Sequence, residues 1–200
     1  MMHRLPLLVI LTIVGPGICL ADDLKPVSEF AAITDRTARS VALFTEAARV
    51  IEHPRCLNCH PVDRVPTQGN DLHPHNPPIR ADQEGHGPPG LPCNTCHQAQ
   101  NVRTSTKPIE SIPGHAHWML APPSMRWQGL TTGEICQQIQ DLARNGGRSL
   151  EKIHEHLATD TLVGWAWNPG PGRIPAPGTQ RAFGELITAW IETGAACPKE

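Results

Sequence analysis

The chain has no tyrosine, and aromatic residues make up only 4% of its 200 positions. Charged residues are sparse at 18%, the formal net charge is −2, and no run of lysine or arginine occurs. Binding to nucleic acid draws on basic patches with interleaved aromatics, so that class is excluded. Beyond the N-terminal segment no stretch is apolar over the roughly 20 residues that a membrane helix needs. No H-E-x-x-H is present, which removes the helix-borne zinc protease pattern. There is no repeat architecture, and the one recurring pattern is five residues long.

The residues in excess are twenty-one prolines, seventeen glycines, eleven histidines and seven cysteines. Such a profile fits short helices and fixed loops around a group that supplies part of the core. The first 21 residues read as an export signal: Arg4 is the positive n-region, Leu5 to Val14 the apolar core, and Ala21 the small residue before cleavage. Cys19 leaves with that segment, and residues 22–200 form one domain in a bacterial periplasm.

The recurring pattern is Cys56-Leu57-Asn58-Cys59-His60 and Cys93-Asn94-Thr95-Cys96-His97. C-x-x-C-H is the c-type haem attachment pattern. Two thiols at this spacing form thioethers to one porphyrin, and the histidine that follows offers a proximal nitrogen to the iron. Zinc held by two C-x-x-C pairs is the rival reading, but zinc knuckles need no histidine after each pair, and the linker here is long. A disulfide within each pair is the other. The sequence therefore predicts two haem c groups, attached at Cys56, Cys59, Cys93 and Cys96, with His60 and His97 on the irons.

Around these motifs the pattern predicts a mainly α protein, a small helix-and-loop dihaem cytochrome c. Residues 22–33 read as a loose arm. Val41, Phe44, Ala47, Ala48 and Ile51 form one face of a helix over 34–52, ended by His53-Pro54. Prolines from 61 to 92 exclude long elements there, and residues 98–130 continue in that style. Thr131 with Glu134 forms a capping box for a helix whose stripe is Ile135, Ile139 and Leu142, closed by Gly146-Gly147. A short helix follows over Ser149 to about Ala158. Thr179 caps a last helix bearing Phe183, Leu186, Ile187, Trp190 and Ile191, with Gly194 as its stop. Cys136 and Cys197 remain, either disulfide-bonded or two buried thiols.

A low-spin electron-transfer haem takes a sixth ligand, usually histidine or methionine. His75, stiffened by Pro74 and Pro77-Pro78, is the expectation for one iron. Met125, after Ala121-Pro122-Pro123-Ser124, is the expectation for the other. His53, His86, His117 and Met119 are alternatives. His154-Glu155-His156 resembles a metal pair, but positions two apart do not share a helix face.

Three strings share a further likeness: His53-Pro54-Arg55-Cys56-Leu57-Asn58-Cys59-His60-Pro61, Leu120-Ala121-Pro122-Pro123 and Arg144-Asn145-Gly146-Gly147-Arg148. Together they resemble a family of small exported dihaem proteins labelled "isoquinoline 1-oxidoreductase subunit", over about 35–198. The resemblance implies a partner molybdenum hydroxylase that passes electrons to this protein. The expected function is periplasmic electron transfer between redox partners. The competing reading is a peroxidase-like dihaem enzyme with one open iron, for which Glu84, His86 or His117 would be the acid–base groups.

Overall fold

The computed structural model describes residues 23–105 and 109–199, so the export segment ending at Ala21 lies outside the described residues. The protein is mainly helical. Helix α1 spans Arg36–Ile51, with the Asp35 carboxylate accepting from the Ala38 N–H at 2.7 Å as its N-cap. His53-Pro54 ends it as expected, and a single turn, α2 (Pro54–Leu57), starts at once with proline in its first turn. The chain thus runs directly from α1 into the first C-x-x-C-H motif.

Helix α3 (Thr132–Gln140) carries the expected capping box between Thr131 and Glu134. It ends two residues before Leu142, which is 59% exposed and not part of the buried stripe. Local side-chain bonds win over helix continuation here. The Asp141 carboxylate accepts from the Ala143 N–H, and the amide of buried Asn145 donates to the Ile139 and Arg148 carbonyls. Helix α4 (Leu150–Thr159) starts at Ser149, and the single turn α5 (Thr161–Gly164) leads into Trp165–Trp167. Helix α6 (Gln180–Glu192) starts at Thr179. At its end the Gly194 N–H donates to the Ile191 carbonyl and the Ala195 N–H to Trp190, a Schellman closure with Gly194 at φ +108°.

Helix α6 is the hub, packing against α1 on one side and α4 on the other. Phe44 of α1 meets Trp190 of α6 with ring centroids 4.9 Å apart, and the Ser40 hydroxyl donates to the Trp190 carbonyl. Gly184 lets α4 come close, because a Cβ there would lie 2.6 Å from the Ala158 Cβ. A disulfide joins Cys136 of α3 to Cys197, with Cα atoms 5.6 Å apart, tying the C-terminal segment to the bundle. The N-terminal arm is not loose. Leu24 and Phe30 are buried in the same core, and the Lys25 N–H donates to the Glu46 carboxylate.

Among the described residues, the proline-rich half has two two-residue antiparallel ladders: β1 (Thr67–Gln68) with β2 (His73–Pro74), and β3 (Val102–Arg103) with β4 (Ser111–Ile112). Among the described residues no helix is long and apolar enough to cross a membrane.

Candidate haem sites

Each C-x-x-C-H motif folds as one helical turn. The His60 N–H donates to the Cys56 carbonyl at 3.1 Å and the His97 N–H to Cys93 at 3.0 Å. That turn brings both cysteines and the histidine to one wall of a cavity. A first cavity of about 360 Å³ is lined by Cys56, Cys59, His60, Met125, Trp127 and the apolar faces of Ile51, Ile139, Ile153, Leu157 and Phe183. A second, of about 490 Å³, is lined by Cys93, Cys96, His97, His75 and loop residues including Pro66, Ile79, Leu91, Ile112 and Pro113. Both volumes fall in the range of cofactor pockets. Arg55, Cys59, Trp118, Met119, Leu120 and Trp165 face both cavities, so a single layer of side chains separates them.

The segment after the proline loop clamps the first motif. The Ala121 N–H donates to the Cys59 carbonyl, and the Trp127 and Gln128 N–H groups both donate to His60. The Gln128 amide also holds the Leu57 carbonyl, and the Asn58 amide holds Gly69. Asn58, the variable residue inside the motif, is thereby buried and bonded.

The imidazoles share one arrangement. His60 Nδ1 bonds the Met125 carbonyl at 2.6 Å, and His97 Nδ1 bonds the Pro113 carbonyl at 2.8 Å. A carbonyl can only accept, so Nδ1 carries the proton and Nε2 keeps its lone pair for a metal. Each ring also lies flat on an indole: His60 on Trp127 with centroids 3.5 Å apart, and His97 on Trp118 at 4.6 Å. Burial lowers the His60 pKa to about 4, opposed by the Met125 bond and reinforced by the charge of His156. Burial likewise lowers that of His97, opposed by the Pro113 bond and reinforced by His75 and Arg173.

Further histidines line each cavity: His73 and His75 the second, and His115, His117 and His156 the first. His75 has its Nδ1 on the Pro77 carbonyl at 2.7 Å, again leaving Nε2 free. Its ring centroid lies 5.9 Å from that of His97. Two imidazoles sharing one metal at about 2 Å per bond stand about 6 Å apart. On the first cavity His156 has Nδ1 on the Asp160 carboxylate at 3.0 Å, the carboxylate–histidine pairing that orients metal ligands. Helix α4 points His154 elsewhere, to the Thr188 hydroxyl of α6.

The Met125 carbonyl holds His60 from its Nδ1 side, and the buried Met125 side chain belongs to the core and lines the first cavity. His156 lines the first cavity, and the sequence alone does not single it out. Its partner Asp160 lies four residues on, a spacing that brings side chains together on a helix. Of the alternatives, His53 is the N-cap of α2, accepting from the Arg55 N–H. His86 lies beside Asp82 outside both cavities, and His117 and Met119 line the first.

The four motif cysteines are free thiols while Cys136 and Cys197 are bonded. Burial pushes the Cys56 thiol up to about 12 and Cys59 up to about 11, and raises Cys93. Among the described residues no group of three or more His, Cys, Asp or Glu converges as a metal cage. The donor set fits haem: paired thiols, imidazoles with free Nε2, and apolar walls. No family model, curated protein or solved structure matches the chain.

Proposed function

We propose that this protein is a periplasmic electron carrier with two covalently attached c-type haems. One observation carries the reading: two cavities share a wall, and each has its own C-x-x-C-H turn and a facing histidine with Nδ1 already occupied. Cys56 and Cys59 would hold one haem, with His60 and His156 available to its iron. Cys93 and Cys96 would hold the other, with His97 and His75 available to its iron. Bound haem supplies a one-electron couple at iron.

The chain's own residues do the rest. Carbonyls of Met125 and Pro113 and the Asp160 carboxylate fix ring tautomers, so little reorganises when an electron arrives. Trp127 and Trp118 hold the rings flat from one face. Trp118 meets Trp165 edge-on at 5.0 Å within the shared wall, giving a continuous packed route between the cavities. The partner is a redox protein, such as the molybdenum hydroxylase implied by the resemblance.

The test is electron paramagnetic resonance and haem quantification on the purified holoprotein. Two haems per chain, both low-spin, and no absorbance change with cyanide are expected. A high-spin component that shifts on adding peroxide would overturn the carrier reading in favour of an enzyme.

A further inference from the structure

Two arginines, Arg55 and Arg173, line the second cavity. Arg55 immediately precedes the first motif, is 3% exposed, and borders both cavities. Its Nη2 donates to the Gly69 carbonyl at 2.6 Å and the Asn70 side-chain oxygen at 3.0 Å, while its Nε is buried without a partner. Half-buried Arg173 donates to the Ser111 hydroxyl and carbonyl, each at 2.6 Å, and to the Pro169 carbonyl at 3.2 Å. All these acceptors are neutral. Among the described residues neither guanidinium has a carboxylate within salt-bridge distance, and exposed Glu110, which lines the same cavity, pairs with neither.

Burial, reinforced by the Arg173 charge, lowers the Arg55 pKa to about 10. Arg173 also reaches His97 electrostatically. Desolvating two like charges on one wall is costly unless an anion neutralises them. The planar guanidinium fork is matched to a carboxylate.

We propose that Arg55 and Arg173 form an anion clamp in the second cavity that takes the propionate carboxylates of the haem attached at Cys93 and Cys96. This rests on the two-haem reading above. It explains why Arg55, part of the first attachment segment, points to the second cavity as well, and why its Nε is left unpaired. The clamp also sets the potential. Oxidised iron carries one more positive charge than reduced iron, so buried guanidinium groups favour the reduced form. Removing one leaves a propionate uncompensated beside the iron and favours the oxidised form.

The experiment is haem quantification followed by spectropotentiometric titration of the holoprotein in the wild type, Arg173→Gln, Arg173→Lys and Arg55→Gln. Two haems per chain are expected in each. In Arg173→Gln the potential of one haem falls by at least the equivalent of a tenfold change in its oxidised-to-reduced ratio, about 59 mV for one electron. Arg173→Lys, which keeps the charge, restores most of that fall, as simple loss of packing would not. Added acetate or phosphate leaves both wild-type potentials unchanged. If two haems are bound but both Gln variants leave both potentials within twofold of that ratio, the clamp is wrong while the two-haem reading stands. A wild-type shift on adding acetate or phosphate would also overturn it, showing that the arginines take a free oxyanion. Absence of haem would overturn both.

Discussion

The imidazole nitrogen that faces a cavity is decided by the partner on the other nitrogen, and that partner is a single residue in each case. His156 owes its orientation to Asp160, one helical turn along α4. On the proposed two-haem reading, replacing His156 with Ala should convert one haem to high spin and leave the other unchanged, as read by electron paramagnetic resonance. Met125→Leu should leave both low-spin, because the carbonyl that holds His60 survives the change. The reverse pattern would return Met125 to the iron. His53 is a second residue with a pH signature. Its Nδ1 accepts from the Arg55 N–H, and burial, reinforced by the Arg55 charge, lowers its pKa from 6.5 to about 4. The unfolded chain takes up a proton at His53 below pH 6.5 that the folded chain refuses until about pH 4. Stability from this group is therefore lost as pH falls through that window. His53→Asn, which keeps a capping side chain, should lose less melting temperature between pH 7 and 4.5 than the wild type.

At the scale of elements, the closest approach is the most sensitive. Gly184 of α6 faces Ala158 of α4 with no room for a methyl group. Alanine is the better helix former by about 1 kcal/mol, yet forcing apart two packed helices costs about 1–3 kcal/mol. Gly184→Ala should therefore lower the midpoint of urea unfolding, and adding Ala158→Gly should restore it. An unchanged midpoint in the single variant would show that α4 shifts freely. The helices themselves were legible in the sequence wherever stripe and cap agreed, as at Thr131 with Glu134 and at Thr179. Leu142 misled because it continues the spacing of Ile135 and Ile139, while Asp141 and Asn145 offer the backbone rival bonds. The arm before α1 misled for the opposite reason. Leu24 and Phe30 have no periodicity to betray them, and they are buried by distant residues such as Gly178.

Across the molecule, the two cavities are built from different material. The first is walled by the helical core, through Ile51, Ile139, Ile153, Leu157 and Phe183. The second is walled mainly by loops with little regular structure. Preventing attachment at the first site, with Cys56→Ala and Cys59→Ala, should cost several kcal/mol, since empty core volume is penalised at roughly 24 cal/mol per Å³. Preventing it at the second, with Cys93→Ala and Cys96→Ala, should leave the cooperative helical transition nearly intact. Hydrogen-exchange protection would then be lost mainly over 61–125. Equal losses of melting temperature in the two variants would contradict this division.

The sequence by itself determined what is local: the C-x-x-C-H turns, the helix caps and the proline-stiffened loops. Those features depend on contacts within a few residues, where spacing specifies geometry. Only the tertiary structure decided which carbonyl backs each imidazole and which histidine faces it. It also decided that Arg55 and Arg173 share one cavity, and that Trp118 and Trp165 stand in the wall between two. His60 meets Met125 and Trp127 from more than 60 residues away, and Arg173 meets Ser111 across 62. Such pairings are set by how α1, α4 and α6 pack and where that packing returns the loops, and no periodicity along the chain encodes them.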